Sequence, residues 1–92
     1  MIIRIMGDQQ YEVKSSILDQ LNKIDNKIVE LVAKGDEKNF RKELLRMINL
    51  VRKKGKPLDP RIIVESQLII PPEDLTLEEA RKIFTGEGII PG

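Results

Sequence analysis

The chain has 92 residues, of which 34% are charged, and a formal net charge of +1, values that predict one small globular domain over residues 1–92. It contains no Cys and no His, which excludes disulfides and thiolate chemistry and removes the commonest general base and transition-metal ligand. No apolar run approaches the ~20 residues of a membrane-spanning helix, and no leader is recognisable, so a cytoplasmic protein is expected. The bias toward Lys and Glu is one that hyperthermophile proteins tend to show.

Residues 1–14 predict a β-hairpin, because apolar and polar side chains alternate on either side of a Gly-Asp turn. Ile3 and Ile5 would share one face of the hairpin, and Tyr11 and Val13 would complete that face from the second strand. Two strands alone are marginal in water, so this face needs a cover. The side chains predicted to point to solvent are Arg4, Glu12 and Lys14.

The next segment predicts an amphipathic helix that ends at Gly35, since glycine readily adopts the left-handed conformation that follows many helices. Either Ser15 or Ser16 could cap its first turn. Its apolar residues recur at intervals of three and four, at Ile17, Leu21, Ile24, Ile28, Leu31 and Val32.

A second helix follows at once, with Asp36 as its predicted N-cap. The short connection implies that the two helices are antiparallel neighbours. The apolar stripe of the second helix consists of Phe40, Leu44, Met47, Ile48 and Val51.

Two prolines and a glycine within residues 55–60 predict a loop after the second helix. Residues 61–64 and 67–70 are both rich in β-branched side chains, and one or both could add a strand beside the hairpin. The second segment is favoured as the third strand, and Pro71 and Pro72 would prevent its extension.

A short third helix is predicted from Thr76 to about Phe84, because Thr76 and Glu79 have the spacing of a capping box. Gly86 and Gly88 would stop it. Its predicted buried side comprises Leu77, Ala80, Ile83 and Phe84. The predicted fold is therefore α+β: a small sheet, formed by the N-terminal β-hairpin and a possible third strand, packs on an antiparallel two-helix hairpin, with a short C-terminal helix.

The charges are distributed unevenly along the chain. Residues 36–56 have a balance of +5, whereas residues 57–92 have a balance of −4. The basic second helix could meet an acidic coiled coil, an anionic lipid surface or nucleic acid, or it could be an ordinary solvated face. The near-zero total charge and the scarcity of aromatic residues argue against nucleic acid. The residues predicted to bind a partner are Arg41, Lys42, Arg46, Arg52 and Lys53.

No residue pattern predicts catalysis, a cofactor site or a metal site. The acidic cluster of Glu73, Asp74, Glu78 and Glu79 lacks the alternating ligand spacing of a Ca²⁺ loop and is better explained as charge at a helix start. Ser15 and Ser16 have no base near them in sequence. A homodimer could form if the basic second helix of one copy met residues 73–79 of another.

Several short motifs follow one another along the chain: MIIRIMGDQQY at 1–11, GKPL at 55–58, SQL at 66–68, PP at 71–72 with Asp74, TLEEAR at 76–81, and GIIPG at 88–92. In this order and spacing, the chain resembles from end to end the small phage-shock-protein-A-associated domain, or PspAA. The resemblance implies a non-enzymatic accessory partner of PspA-like coiled-coil proteins, which are related to ESCRT-III and protect membranes under stress. It supplies no catalytic residues.

Two alternative functions remain beside this expectation. The chain could be a self-assembling structural module. It could also bind an anionic membrane directly through the basic second helix, with Phe40 and Met47 as apolar anchors.

Overall fold

The computed structural model of the chain describes residues 1–84 and 88–90. These residues contain four short strands and three α-helices. The strands are β1 (Ile2–Ile5), β2 (Gln10–Glu12), β3 (Lys56–Pro57) and β4 (Leu68–Ile70), and the helices are α1 (Leu18–Lys34), α2 (Glu37–Lys54) and α3 (Leu77–Ile83). The predicted α+β arrangement is confirmed, including a strand near residues 67–70.

The strands form one sheet in the order β3-β2-β1-β4. β1 pairs with β2 in antiparallel fashion, with Ile3 opposite Tyr11, and β2 pairs in the same way with β3. β4 lies parallel to β1, with Arg4 opposite Ile69. β1 is therefore a central strand, and the sheet joins residues from the two ends of the chain.

The helical hairpin forms where the sequence predicts it. Gly35 follows α1 in the left-handed conformation with φ of 73°, and the Asp36 carboxylate accepts a hydrogen bond from the backbone N–H of Asn39 at the start of α2. At α3, Thr76 and Glu79 form the predicted capping box, with side-chain to backbone bonds of 3.1 Å in both directions. These local signals act over three or four residues, so the sequence alone specifies them.

The core lies between the helices and one face of the sheet, which is called the inner face. All five predicted apolar residues of α2 are fully buried. The strands contribute Ile3, Ile5, Tyr11 and Ile70, among others, to this inner face. Phe40 and Phe84 meet edge to face, with ring centroids 6.4 Å apart, and thereby fix α2 against the end of α3.

Residues 58–67 cross the outer face of the sheet from β3 at one edge to β4 at the other, and they are called the crossover segment. The buried side chain of Gln10 donates from Nε2 to the carbonyl oxygen of Val64 and to Oγ of Ser66, at 2.9 and 2.8 Å. Gln67 then exchanges bonds with Ile2, accepting at its side-chain oxygen and donating from its backbone N–H. These contacts hold an otherwise irregular segment against the strands.

The alternative strand over residues 61–64 does not form, and the side chains of these residues are exposed. Two local predictions are wrong. Ser15 and Ser16 lie in a 3₁₀ turn before α1 and neither side chain caps the helix. Ile83 is 41% exposed, because α3 buries only Ala80 completely and Leu77 in part before Phe84 ends it. Gly86, predicted to stop this helix, lies outside the described residues.

Among the described residues, no helix combines the length and the apolar character needed to cross a membrane.

Replacing Thr76 with Ala should lower the free energy of unfolding by about 1 kcal/mol, because the substitution removes the oxygen that accepts the Glu79 N–H at the start of α3. Urea titration followed by circular dichroism would measure the change. Ser16→Ala serves as the control, since the Ser16 side chain caps no helix. An equal loss in both variants would contradict this assignment of caps.

Candidate partner-binding groove

α1 and α2 leave a surface groove of about 400 Å³ between them. Its α1 wall contains Gln20, Lys23 and Ile24, which follow one another at helical spacing and so share a face. Its α2 wall is built in the same way, and its lining residues are Arg46, Asn49, Leu50 and Lys53. On α2 these residues lie opposite the apolar stripe, so the groove opens on the side of the hairpin that faces away from the sheet.

The groove combines an apolar floor with a cationic rim. Ile24 is buried and Leu50 is half-buried, so both leave some aliphatic surface at the base of the groove. Lys23, Arg46 and Lys53 stand around it, and none of the described lining residues is acidic. Glu43 lies one turn before Arg46 and pairs with it at 2.9 Å, although 67% of the Arg46 side chain stays exposed. The arrangement suits a ligand with an apolar surface and negative charges beside it.

The structure divides the five cations that the sequence groups together. Lys42, Arg46 and Lys53 share one face of α2, since their spacing of four and seven residues brings them into line. Lys42 extends the line of cations beyond the groove, whereas Arg46 and Lys53 form part of its rim. The other two, Arg41 and Arg52, lie on a different flank of the helix.

Arg41 fastens α2 to the segment before α3. Its guanidinium donates to the carbonyl oxygens of Glu73 and Leu75 at 2.8 and 3.0 Å. The basic helix and the acidic segment therefore meet within one chain, but they do so through backbone oxygens. Replacing Arg41 would disturb the fold as well as the surface charge.

Arg52 fastens α2 to the turn after β1. Its Nε donates to a carboxylate oxygen of Asp8 at 3.0 Å, and the Tyr11 hydroxyl donates to the same oxygen. The bond with Asp8 raises the pKa of Arg52 above its ordinary value, so the guanidinium stays charged at any physiological pH. Arg52, which the sequence predicts to bind a partner, is therefore bound by the turn after β1 of its own chain.

The most unusual polar group is Asp25, which is fully buried on the face of α1 that packs into the core. Its two carboxylate oxygens accept hydrogen bonds from the backbone N–H groups of Ile89 and Ile90 at 3.1 and 2.9 Å. Gly88 permits this approach, because its φ of 83° is left-handed and a Cβ there would lie 2.5 Å from both oxygens. Asp25 therefore anchors residues 88–90 to α1.

Burial dominates the electrostatics of this anchor. It raises the pKa of the Asp25 carboxyl above the ordinary value of 3.8, and the bonds from Ile90 and Ile89 oppose that shift only in part. A buried carboxyl with a raised pKa is sometimes an acid catalyst. Here both oxygens are already bonded to backbone donors, and the described surface pockets do not include Asp25 among their lining residues, so its role is structural.

The acidic residues near α3 do not converge. Glu79 completes the capping box, and its bonds with Thr76 hold its pKa below the ordinary value. In the part of the chain that the structure describes, no group of three or more Asp or Glu side chains could hold a metal ion.

The matching family decides what kind of protein this is. The model of the PspA-Associated protein family, PspAA, matches residues 1–92. The chain belongs to the PspAA family. A search of curated proteins and a search of solved structures each found no match. The family description names an association with PspA and leaves the contact surface of this PspAA chain to be inferred from its geometry.

Sequence reasoning missed two elements of the PspAA surface and core. The sequence does not group Lys23 with the cations of α2, because these side chains come together only when α1 packs against α2. Asp25 was not noticed, although a signal exists: it lies four residues after Leu21 and three before Ile28, within the apolar stripe. A charge at such a position predicts a buried partner.

Titration of Asp25 should show a midpoint above 3.8, because burial disfavours its charged form. The folded chain then holds the proton at a pH where the unfolded chain has released it. Between those two pKa values the free energy of unfolding should fall as pH rises. Carboxyl carbon NMR would give the midpoint, and urea titration across the same range would give the slope.

Asp25→Asn is the control for that pH dependence, since the amide does not titrate. The slope between the two pKa values should be smaller in this variant than in the wild type. A midpoint at or below 3.8 would show that the two N–H donors outweigh burial.

Gly88→Ala should lower the free energy of unfolding by roughly 1–3 kcal/mol. The alanine would have to keep the left-handed backbone conformation of Gly88, and its methyl group would collide with the Asp25 carboxylate. Gly7→Ala is a matched control, since Gly7 has nearly the same φ, 80°, and no atom within 4 Å of its Cβ position. The difference between the two variants in urea titration isolates the collision. Equal losses would mean that the carboxylate is not in close contact with Gly88.

Proposed function

We propose that this PspAA chain is a non-enzymatic accessory protein that binds a PspA-like coiled-coil protein during the response to membrane stress. The family description supports the partner class. The single observation that carries the proposal is the groove between α1 and α2, with its aliphatic floor and its rim of Lys23, Arg46 and Lys53.

A helix of a coiled-coil rod fits such a groove in shape and chemistry. Two antiparallel helices can accept a third between them, because side-chain ridges of one helix pack into grooves of its neighbours. Apolar residues of the incoming helix would lie on Ile24 and Leu50, and acidic residues on its flanks would meet the three cations. The α2 wall, from Arg46 to Lys53, spans about 10 Å, or two helical turns, so each contact is small.

Electrostatic attraction would give this contact its specificity. Rim charges steer partners toward each other and raise association rates more than they raise final affinity. A rod that repeats the same acidic pattern along its length could bind many copies of this chain. The weak individual contacts would then together raise the overall affinity.

Binding is favoured over catalysis by the chemistry of the side chains. The sequence lacks Cys and His, and the carboxyl group of Asp25, whose pKa burial raises, is bonded to the backbone of residues 88–90. In this proposal the protein is cytoplasmic and reaches the membrane through its partner, without a cofactor.

Direct binding to an anionic membrane is the second candidate, and the cations Lys42, Arg46 and Lys53 on one face of α2 favour it. The apolar anchors predicted for it cannot take part, because Phe40 and Met47 are fully buried in the core. Membrane binding would then rest on charge with only the shallow groove floor to add apolar contact.

Changing Lys23, Arg46 and Lys53 together to Gln should weaken binding to the PspA-like protein of the same organism about tenfold or more, since each lost rim contact contributes a few tenths to 1 kcal/mol. Isothermal titration at low and high salt would measure the loss. Wild-type binding should also weaken with salt, because exposed charges are screened.

The matched control changes Lys34, Lys38 and Lys82 to Gln, which removes the same charge from exposed positions outside the groove. It should bind nearly as well as the wild type. Equal weakening in both variants, or none in either, would contradict the groove as the binding surface. Binding to vesicles rich in anionic lipid, with no binding to the coiled-coil protein, would favour the membrane candidate.

A further inference from the structure

The outer side of the sheet carries an unusual amount of exposed apolar surface. Among the described residues, seven large apolar side chains are exposed. Four of them belong to β4 or the crossover segment, and a fifth directly follows β1. Ile63 is 97% exposed and Ile69 is 53% exposed. The other three of these five are Met6, Ile62 and Val64. Apolar surface concentrated on one side of a small protein marks an interaction site.

The two edges of the sheet differ in how they resist pairing with another strand. The β3 edge consists of Lys56 and Pro57, a charge and an imino acid, which are common ways to block an edge. The β4 edge has neither. Residues 66–72 contain no charged residue, although 34% of the chain is charged. β4 is therefore the edge open to another strand.

The backbone of Ile69 is directed toward this open edge. The carbonyl oxygen of Ile70 accepts a hydrogen bond from the N–H of Met6, which shows that Ile70 faces β1. Because successive residues of a strand direct their N–H and C=O groups to opposite sides, those of Ile69 point away from the sheet. Arg4 is paired with Ile69 across the β1–β4 ladder, so its side chain lies on the same outer face of the sheet.

We propose that β4 pairs with β4 of a second copy of this chain, in antiparallel fashion about a two-fold axis at Ile69. The two Ile69 residues would exchange both of their backbone hydrogen bonds, as a hydrogen-bonded pair in an antiparallel ladder does. Their side chains would lie together on the outer side. Pro71 has no N–H to continue the ladder, so the pairing stops after this pair and yields a closed dimer instead of a fibre.

A second copy fits this surface better than an acidic partner does. Two ion pairs of this half of the molecule are closed within the chain: Arg61 pairs with Asp59 at 2.7 Å, and Arg52 pairs with Asp8 at 3.0 Å. Arg4, the register partner of Ile69, belongs to β1 and so lies one strand away from the proposed axis. At a two-fold axis every charge would face its own copy, and the uncharged stretch of residues 66–72 avoids that repulsion. The cationic groove lies on the opposite side of the molecule, so this interface is separate from the proposed coiled-coil contact.

Sedimentation velocity from micromolar to millimolar concentration tests the proposal, with Ile69→Lys as the disrupting variant. The wild type should pass from monomer to dimer as its concentration rises. Ile69→Lys should raise the dimer dissociation constant at least about tenfold, because it places two like charges across the axis. Ile83→Lys is the matched control, since Ile83 is 41% exposed on α3, and it should behave as the wild type does.

Hydrogen exchange of the wild type gives a readout that needs no variant. Exchange of the Ile69 amide should slow as the protein concentration rises, because it has no acceptor among the described residues of its own chain and the dimer would supply one. A chain that stays monomeric at millimolar concentration overturns the proposal. So does a dimer that Ile69→Lys leaves intact, or an Ile69 amide whose exchange is independent of concentration. Because the groove variants leave β4 unchanged, failure of the coiled-coil contact would not alter any of these results.

Discussion

The helical hairpin packs its two apolar stripes on a single face of the sheet, and the other surfaces of the protein follow from this packing. The core consists almost entirely of aliphatic side chains, with the Phe40 and Phe84 rings at one end. Burial of that surface is the main stabilising term in so small a chain. The helix faces turned away from the sheet are then polar and form the cationic groove. Within residues 1–84 and 88–90, the outer face of the sheet receives no helix and is covered by the crossover segment alone.

The cations of α2 show how one stretch of sequence can serve two purposes. Arg41 and Arg52 bind backbone oxygens and a carboxylate of the same chain, and so they fix α2 to the segments before α3 and after β1. Arg46 and Lys53 remain at the rim of the groove with Lys23 of α1. A count of charge along the sequence cannot separate these groups, because the separation depends on the direction of each side chain around the helix.

Much of the fold could be predicted because its signals are local. The cap at Asp36, the left-handed Gly35 and the box at Thr76 each depend on neighbours within four residues. The residues that the β-hairpin contributes to the inner face follow from the alternation of apolar and polar side chains along its strands. The errors concern distant contacts instead: Asp25 meets partners 64 and 65 residues away, and Gln10 binds a segment more than 50 residues away. Such contacts leave no periodic trace, and for this reason Lys23 also went unassigned.

The parallel pairing of β1 with β4 has a consequence for the order of folding. The contacts of α1 with α2 join neighbouring segments of the chain, so the helical hairpin can form early, whereas β1 must wait for a strand that begins 65 residues after its own Ile3. Closing so long a loop is unfavourable until the helices already occupy much of the intervening chain. On the ribosome, β1 would therefore remain with one edge unpaired until β4 has emerged. The apolar β-hairpin is thus exposed for longer during synthesis than any other part of the fold, and chaperones would meet it first.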